Sequence, residues 1–143
     1  MAELEPPLYL FDEYALEAAL FEGNDVDHQK ISGWAAGSVC ITKSVKEQFL
    51  DAYPEEAEKL AWFNLVRKHS TDNRIASVYG DQLQNLPDID SRVVAGKILL
   101  LAMTSRMGAI LVTAEPIGLT TWIRALAEQL NVPCITFTDF QEL

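Results

Sequence analysis

Two carboxylates stand where short apolar runs end. Asp12 follows Leu8-Tyr9-Leu10-Phe11, and Glu115 closes Ala109-Ile110-Leu111-Val112-Thr113-Ala114-Glu115. Runs of this length and composition read as buried strands. In open parallel sheets, ligands and chemistry collect at the strand carboxyl ends, which is where both acids fall. Each acid also has a plainer reading. Asp12 is a suitable N-cap for the segment after it. Glu115 is a favourable carboxylate at the start of a helix opened by Pro116. Other chemical signals are slighter. Asp25-x-Asp27-His28 resembles a fragment of a cation loop but lacks the glycine and distal glutamate of an EF-hand, so a solvated loop is expected. Gly33-x-x-x-Gly37 has no Lys-Ser/Thr after it and is not a phosphate loop. Cys40 and Cys134 show no CxxC or zinc spacing and read as reduced core cysteines. His69 is a lone histidine expected near a helix end.

The elements that must position these groups alternate in type. A strand at Leu8–Phe11 leads into a helix from Glu13 to Phe21, closed by Gly23. A polar stretch over 24–37 contains one helix around Val26–Trp34. Ser38–Thr42 is the second strand. Ser44-x-x-Glu47 has the form of a capping box and opens a helix to about Ala52. Pro54 breaks that helix and can start the next, Glu55–His69. Ser70–Asn85 predicts only a short helix near Ile75–Tyr79. Pro87 to Ser91 begins a long helix that ends before Gly108. Within it, Gly96 beside Ala95 reads as a place of close helix–sheet approach. Ala109–Thr113 is the third strand, Pro116–Leu130 a helix with Asn131 as its C′ residue, Val132–Thr136 the fourth strand and Asp139–Leu143 a terminal helix. Trp34, Trp62, Phe63 and Trp122 read as core or interface. Strands joined by helices at short intervals define βαβ units. The expected fold is α/β, a three-layer α/β/α sandwich around a mostly parallel sheet of about four strands.

Bulk properties bound the rest. The chain of 143 residues suits a single domain, with residues 1–7 as an acidic, flexible leader. Net charge is −10, from 21 acidic and 11 basic residues, which argues against unassisted binding of duplex nucleic acid. Arg67-Lys68-His69 is the densest cationic patch, and it is short. Met1-Ala2-Glu3-Leu4-Glu5 lacks the apolar core of a signal peptide, and the longest apolar run, Ile98–Met103, is too short to span a bilayer. A cytoplasmic protein with no membrane partner is expected.

Taken in order, the landmarks resemble the PIN-domain superfamily of small metal-dependent ribonucleases, which includes toxins of toxin–antitoxin pairs. Tyr9-Leu10-Phe11-Asp12-Glu13-Tyr14-Ala15-Leu16 is similar to the family's opening strand, acid and helix. Val39-Cys40-Ile41-Thr42 with Lys46-Glu47-Gln48-Phe49-Leu50 is similar to its second strand and acid-bearing helix. Lys97 through Ala102 and then Gly108 through Glu115 are similar to its third helix, glycine turn and Thr-x-Asp strand end. The closing Val132–Thr136 and Asp139-Phe140 match in kind. The resemblance spans nearly the whole chain and implies one or two divalent ions, Mg²⁺ or Mn²⁺, held by carboxylates. Its implied catalytic and metal-ligating residues are Asp12, Glu47 and Glu115, with Asp90 a further metal ligand. RNA is the implied substrate, and a protein partner or a homodimer the implied association. This chain departs from the pattern. Glu115 replaces Asp in Thr113-Ala114-Glu115, Glu47 is equally the capping-box partner of Ser44, and Lys97 stands where an acid is expected. Asp90 lies two helical turns before Lys97, about 10 Å away, and reads equally as a helix N-terminal acid beside Asp88. A lysine there predicts nuclease activity weakened or lost, with Lys97 paired to Asp12 or Glu115. The alternative is a catalytically inactive module for binding a protein partner or itself.

Overall fold

A computed structural model describes residues 8–29, 31, 38–83, 91–115 and 123–143. Its elements, in chain order, are β1 (Tyr9–Phe11), α1 (Glu13–Glu17) running into a π-helical turn (Ala18–Glu22), α2 (Asp25–Gln29), β2 (Val39–Thr42) and α3 (Lys43–Ala52). A 3₁₀ segment (Pro54–Trp62), β3 (Asn64–Val66), α4 (Ser70–Leu83) and α5 (Ser91–Met107) follow. The chain closes with β4 (Ile110–Thr113), α6 (Ile123–Leu130), β5 (Cys134–Thr136) and α7 (Phe137–Gln141).

The five strands among the described residues are all parallel, in the order β3-β2-β1-β4-β5. The α/β/α sandwich expected from the sequence is therefore present, with one strand more than the apolar runs suggested. Side-chain alternation explains why the strands look continuously apolar. Tyr9, Phe11, Val39, Ile41 and Val112 belong to one buried cluster, with α1, α3 and α7. Leu10, Cys40 and Leu111 belong to a second, with α5 and α6. A sheet covered on both faces needs apolar residues at every position, not every second one. Phe11 is fully buried, and its ring meets Phe63, Phe137 and Phe140 at centroid distances of 5.5, 6.1 and 5.1 Å.

Helix ends follow from local chemistry. Gly108, at φ +64°, ends α5 in a Schellman arrangement. The Ala109 N–H donates to Thr104 O at 3.0 Å and the Gly108 N–H to Ser105 O at 3.1 Å. Asn131, at φ +57°, ends α6 in the same way and fills the C′ role expected of it. Gly23 is required for a different reason. Its N–H donates to Ala18 O at 2.8 Å, and a Cβ there would lie 2.3 Å from Ala19 O. Gly23→Ala is therefore expected to destabilise by about 1–3 kcal/mol, read from urea unfolding midpoints. An unchanged midpoint would show that the π-helical turn relaxes freely.

Several expectations are corrected. The helix Glu55–His69 is instead a 3₁₀ segment, an extended Phe63 and strand β3, which pairs with β2 in the register Cys40↔Asn64 to Thr42↔Val66. Three residues carry too little periodicity to announce a strand, and β2 supplies the hydrogen bonds that make it one. The short helix near Ile75–Tyr79 is 14 residues long. Few of its side chains are buried, and its packing is chiefly against α5, which sequence pattern does not announce. The N-cap of α3 is Thr42, whose Oγ1 accepts from Val45 N at 3.1 Å, and not Ser44. His69 precedes α4 instead of ending a helix. Asp25-x-Asp27-His28 is helical rather than a solvated loop. Asp27 is buried, exchanges capping bonds of 3.0 Å with Asn24, and accepts from Gln141 Nε2 at 2.8 Å. Gly96 admits no close approach; a Cβ there would meet nothing within 4 Å. The expected segments at 1–7, 32–37, 84–90 and 116–122, with Trp34, Trp122, Asp88 and Asp90, lie outside the described residues.

Candidate functional site

The sheet is wound outward from β1 in two directions, to β2 and β3 on one side and to β4 and β5 on the other. The strand order therefore reverses between β1 and β4, and a crevice opens there at the carboxyl ends. Asp12 leaves β1 at this point and Thr113 ends β4 beside it; the Asp12 N–H still donates to Val112 O at 3.0 Å. Both sequence-predicted strand-end acids are thus at the switch point.

Their oxygens are already engaged. Asp12 caps α1, Oδ1 accepting from Ala15 N at 2.7 Å, while Oδ2 accepts a short hydrogen bond from Thr113 Oγ1. Thr113 Oγ1 in turn accepts from Glu115 N at 3.1 Å. The Lys97 ammonium, reaching in from α5, contacts Glu115 Oε1, and Glu115 Oε2 accepts from Ile123 N at 2.6 Å. The Glu115 side chain is 6% exposed and that of Lys97 23%, so this ion pair is largely removed from solvent. Asp12 is thus the helix cap its plainer reading expected, and it stands on the rim of the sheet. Glu115 accepts from the first described residue of α6 and also faces Lys97, while the helix start at Pro116 that its plainer reading needs lies outside the described residues.

Burial, helped by the Glu115 charge, raises the Asp12 carboxyl to about 7, against the lowering effect of its bonds from Thr113 and Ala15. At neutral pH a substantial fraction of Asp12 is protonated, so it acts as a hydrogen-bonding group as much as a charge.

A cleft of about 640 Å³ opens over this rim. Of the sequence-predicted site residues, Asp12, Glu47, Lys97 and Glu115 line it, while Asp90 lies outside the described residues. They are not equivalent there. The Glu47 side chain is 64% exposed and lies 3.8 Å from Lys43, one turn back on α3. Its capping-box role falls with Ser44. Sequence reasoning missed Arg67 and Lys68, which leave the end of β3 and border the same cleft. They were visible as the densest cationic patch, but without β3 nothing placed them. Gly96, Leu100 and Met103 of α5 line the cleft as well.

The divalent ion implied by the resemblance can be tested against these donors. Both oxygens of Asp12 and both of Glu115 accept hydrogen bonds from protein groups, and one of the donors is an ammonium. A cation would have to displace that ammonium against like-charge repulsion. Among the described residues, no three His, Cys, Asp or Glu side chains are grouped as they would be to hold a metal.

Fold and site together define a five-stranded parallel α/β/α domain with an internally neutralised acidic rim at its switch point. No family profile matches the chain. No curated protein matches it either. Among solved structures it is similar to PAE2754 from Pyrobaculum aerophilum, with a TM-score of 0.59 and 15% sequence identity over 95% of this chain and 88% of that one. At that identity the likeness speaks to fold alone. Among the described residues, no helix is long and apolar enough to cross a membrane.

Proposed function

We propose that this chain is a PIN-like module whose ancestral metal centre has been replaced by an internal ion pair, and that it binds rather than cleaves. The observation that carries this reading is the contact between Lys97 and Glu115. An ammonium occupies the place the family gives to an acid, and its charge supplies to Glu115 what a metal would. Asp12 is satisfied by Thr113 and Ala15 and partly protonated at neutral pH, which makes it a poor ligand for a hard cation. On this reading Mg²⁺ and Mn²⁺ are not cofactors, and the module serves association with a protein partner or a second copy.

The competing reading is an active divalent-metal-dependent RNA endonuclease. One observation favours it: Asp12, Glu47 and Glu115 line a single cleft. Calorimetry with millimolar Mn²⁺ separates the two. Wild type is expected to give no binding heat and no metal-dependent RNA cleavage. Lys97→Asp, which removes the ammonium and adds a ligand, is expected to bind Mn²⁺ at least about tenfold more tightly than wild type. Clear Mn²⁺ heat from wild type, or RNA cleavage that disappears in Asp12→Asn, would establish the nuclease instead.

A further inference from the structure

The cleft holds four of the chain's 11 basic residues, Lys43, Arg67, Lys68 and Lys97. Among the described residues that line it, basic and acidic side chains are equal in number. Most of the acids there are already engaged. Glu115 faces Lys97, Glu47 faces Lys43, and Asp12 is buried and hydrogen-bonded. Arg67 and Lys68 differ from the other two cations: among the described residues they form no ion pair, and both are exposed at the mouth. Behind this charged rim the wall is apolar, made by Val45, Leu100, Met103 and Ile123, with the ring of Tyr14 standing 36% exposed beside it. Gly96 keeps the space open, because its position on α5 faces the cleft and no side chain fills it.

We infer that this cleft binds a small organic phosphate of about nucleotide size, with Arg67 and Lys68 on the phosphate and the apolar wall and Tyr14 against the body. A volume of about 640 Å³ lies within the range of small-molecule sites. An arginine beside a lysine suits a phosphate, one as a planar fork and the other as a point charge. An apolar wall behind a cationic mouth suits a ligand with one charged end. A long polyanion is disfavoured by the net charge of −10, which acts on every phosphate outside the cleft. The inference rests on the reading above that the rim acids are neutralised from within.

The test is calorimetry on the full chain in EDTA and low salt, with ADP and inorganic pyrophosphate as probes. ADP is expected to bind at least about tenfold more tightly than pyrophosphate, because only ADP reaches the wall. Replacing both Arg67→Ala and Lys68→Ala is expected to weaken ADP by about tenfold or more. Gly96→Leu fills the cleft while favouring the helix that carries it, so the protein stays folded and ADP affinity falls toward that of pyrophosphate. No ADP heat at millimolar concentration, or binding unchanged in the double variant, overturns the inference. So does an RNA oligonucleotide that binds more tightly than ADP and tightens further with length. The two readings fail separately: Mn²⁺ heat without phosphate breaks the neutralised-rim reading, and silence with both Mn²⁺ and ADP breaks only this one.

Discussion

Arg106→Ala is expected to cost about 3 kcal/mol of stability, the low end of what removing one partner of a buried ion pair costs. Arg106 lies in the last turn of α5, and its Nε donates to Asp72 Oδ1 at 2.5 Å. Asp72 is fully buried, and its other oxygen accepts from His69 N at 2.7 Å. The carboxylate therefore does two jobs. It caps α4, and it ties α4 to α5, the helix that delivers Lys97 to the rim. Without the guanidinium, a charge with a single backbone donor remains in the interior. The low end of the range applies because the Arg106 side chain is 23% exposed, so water reaches part of the gap. Replacing both partners, Asp72→Leu with Arg106→Met, is expected to recover most of the loss, since it leaves no unpaired charge. Urea unfolding of the single and double variants measures this. A loss below about 1 kcal/mol for Arg106→Ala would mean that the contact behaves as an ordinary surface pair.

Asp12→Asn is expected to make the protein more stable at alkaline pH and to flatten its pH dependence. In the fold, burial holds the Asp12 carboxyl at about 7, above its ordinary value of 3.8. Between those values the folded state binds more protons than the unfolded chain, so stability falls as pH rises from about 4 to about 7. The span corresponds to a penalty on the order of 4 kcal/mol above pH 7 that an uncharged amide does not incur. The gain will be smaller than that, because the amide must keep the bonds to Ala15 and Thr113 with one acceptor and one donor. Urea midpoints in EDTA at pH 5 and pH 8 are the measurement. Wild type should lose stability across that interval and the variant should lose less. Parallel pH profiles for the two proteins would show that Asp12 is not the group responsible.

The layers of this fold were legible because β1, β2, β4 and β5 leave apolar runs bounded by caps and turns, and Gly108 and Asn131 end helices where their residue types say they should. Asp12 and Glu115 were legible for the same reason, since each follows a strand. β3 was not. Its hydrogen bonds come from β2, and its three residues continue a helix-like pattern begun by Ala57 and Leu60. Losing β3 also lost the position of Arg67 and Lys68, so the cationic half of the cleft stayed hidden although its residues were in plain view. Ser44-x-x-Glu47 misled through a good local motif: Thr42, two residues earlier, has both the hydroxyl and the extended backbone of a cap. Asp72–Arg106 could not be seen at all, because 34 residues separate the partners and nothing local marks them. The Lys97–Glu115 contact was foreseen only as one of two pairings, and it is the fold that chose between them.

The central strand sets a schedule for biosynthesis. β1 can take up one neighbour as soon as β2 leaves the ribosome, but its other edge waits for Ile110–Thr113. The register Tyr9↔Ile110 sets those partners 101 positions apart in the chain, about 5–20 s of translation. Throughout that interval a strand whose three residues are all buried in the finished fold has one side without a hydrogen-bonding neighbour. The rim acids share the delay, because Thr113 reaches Asp12 only when the same stretch has emerged.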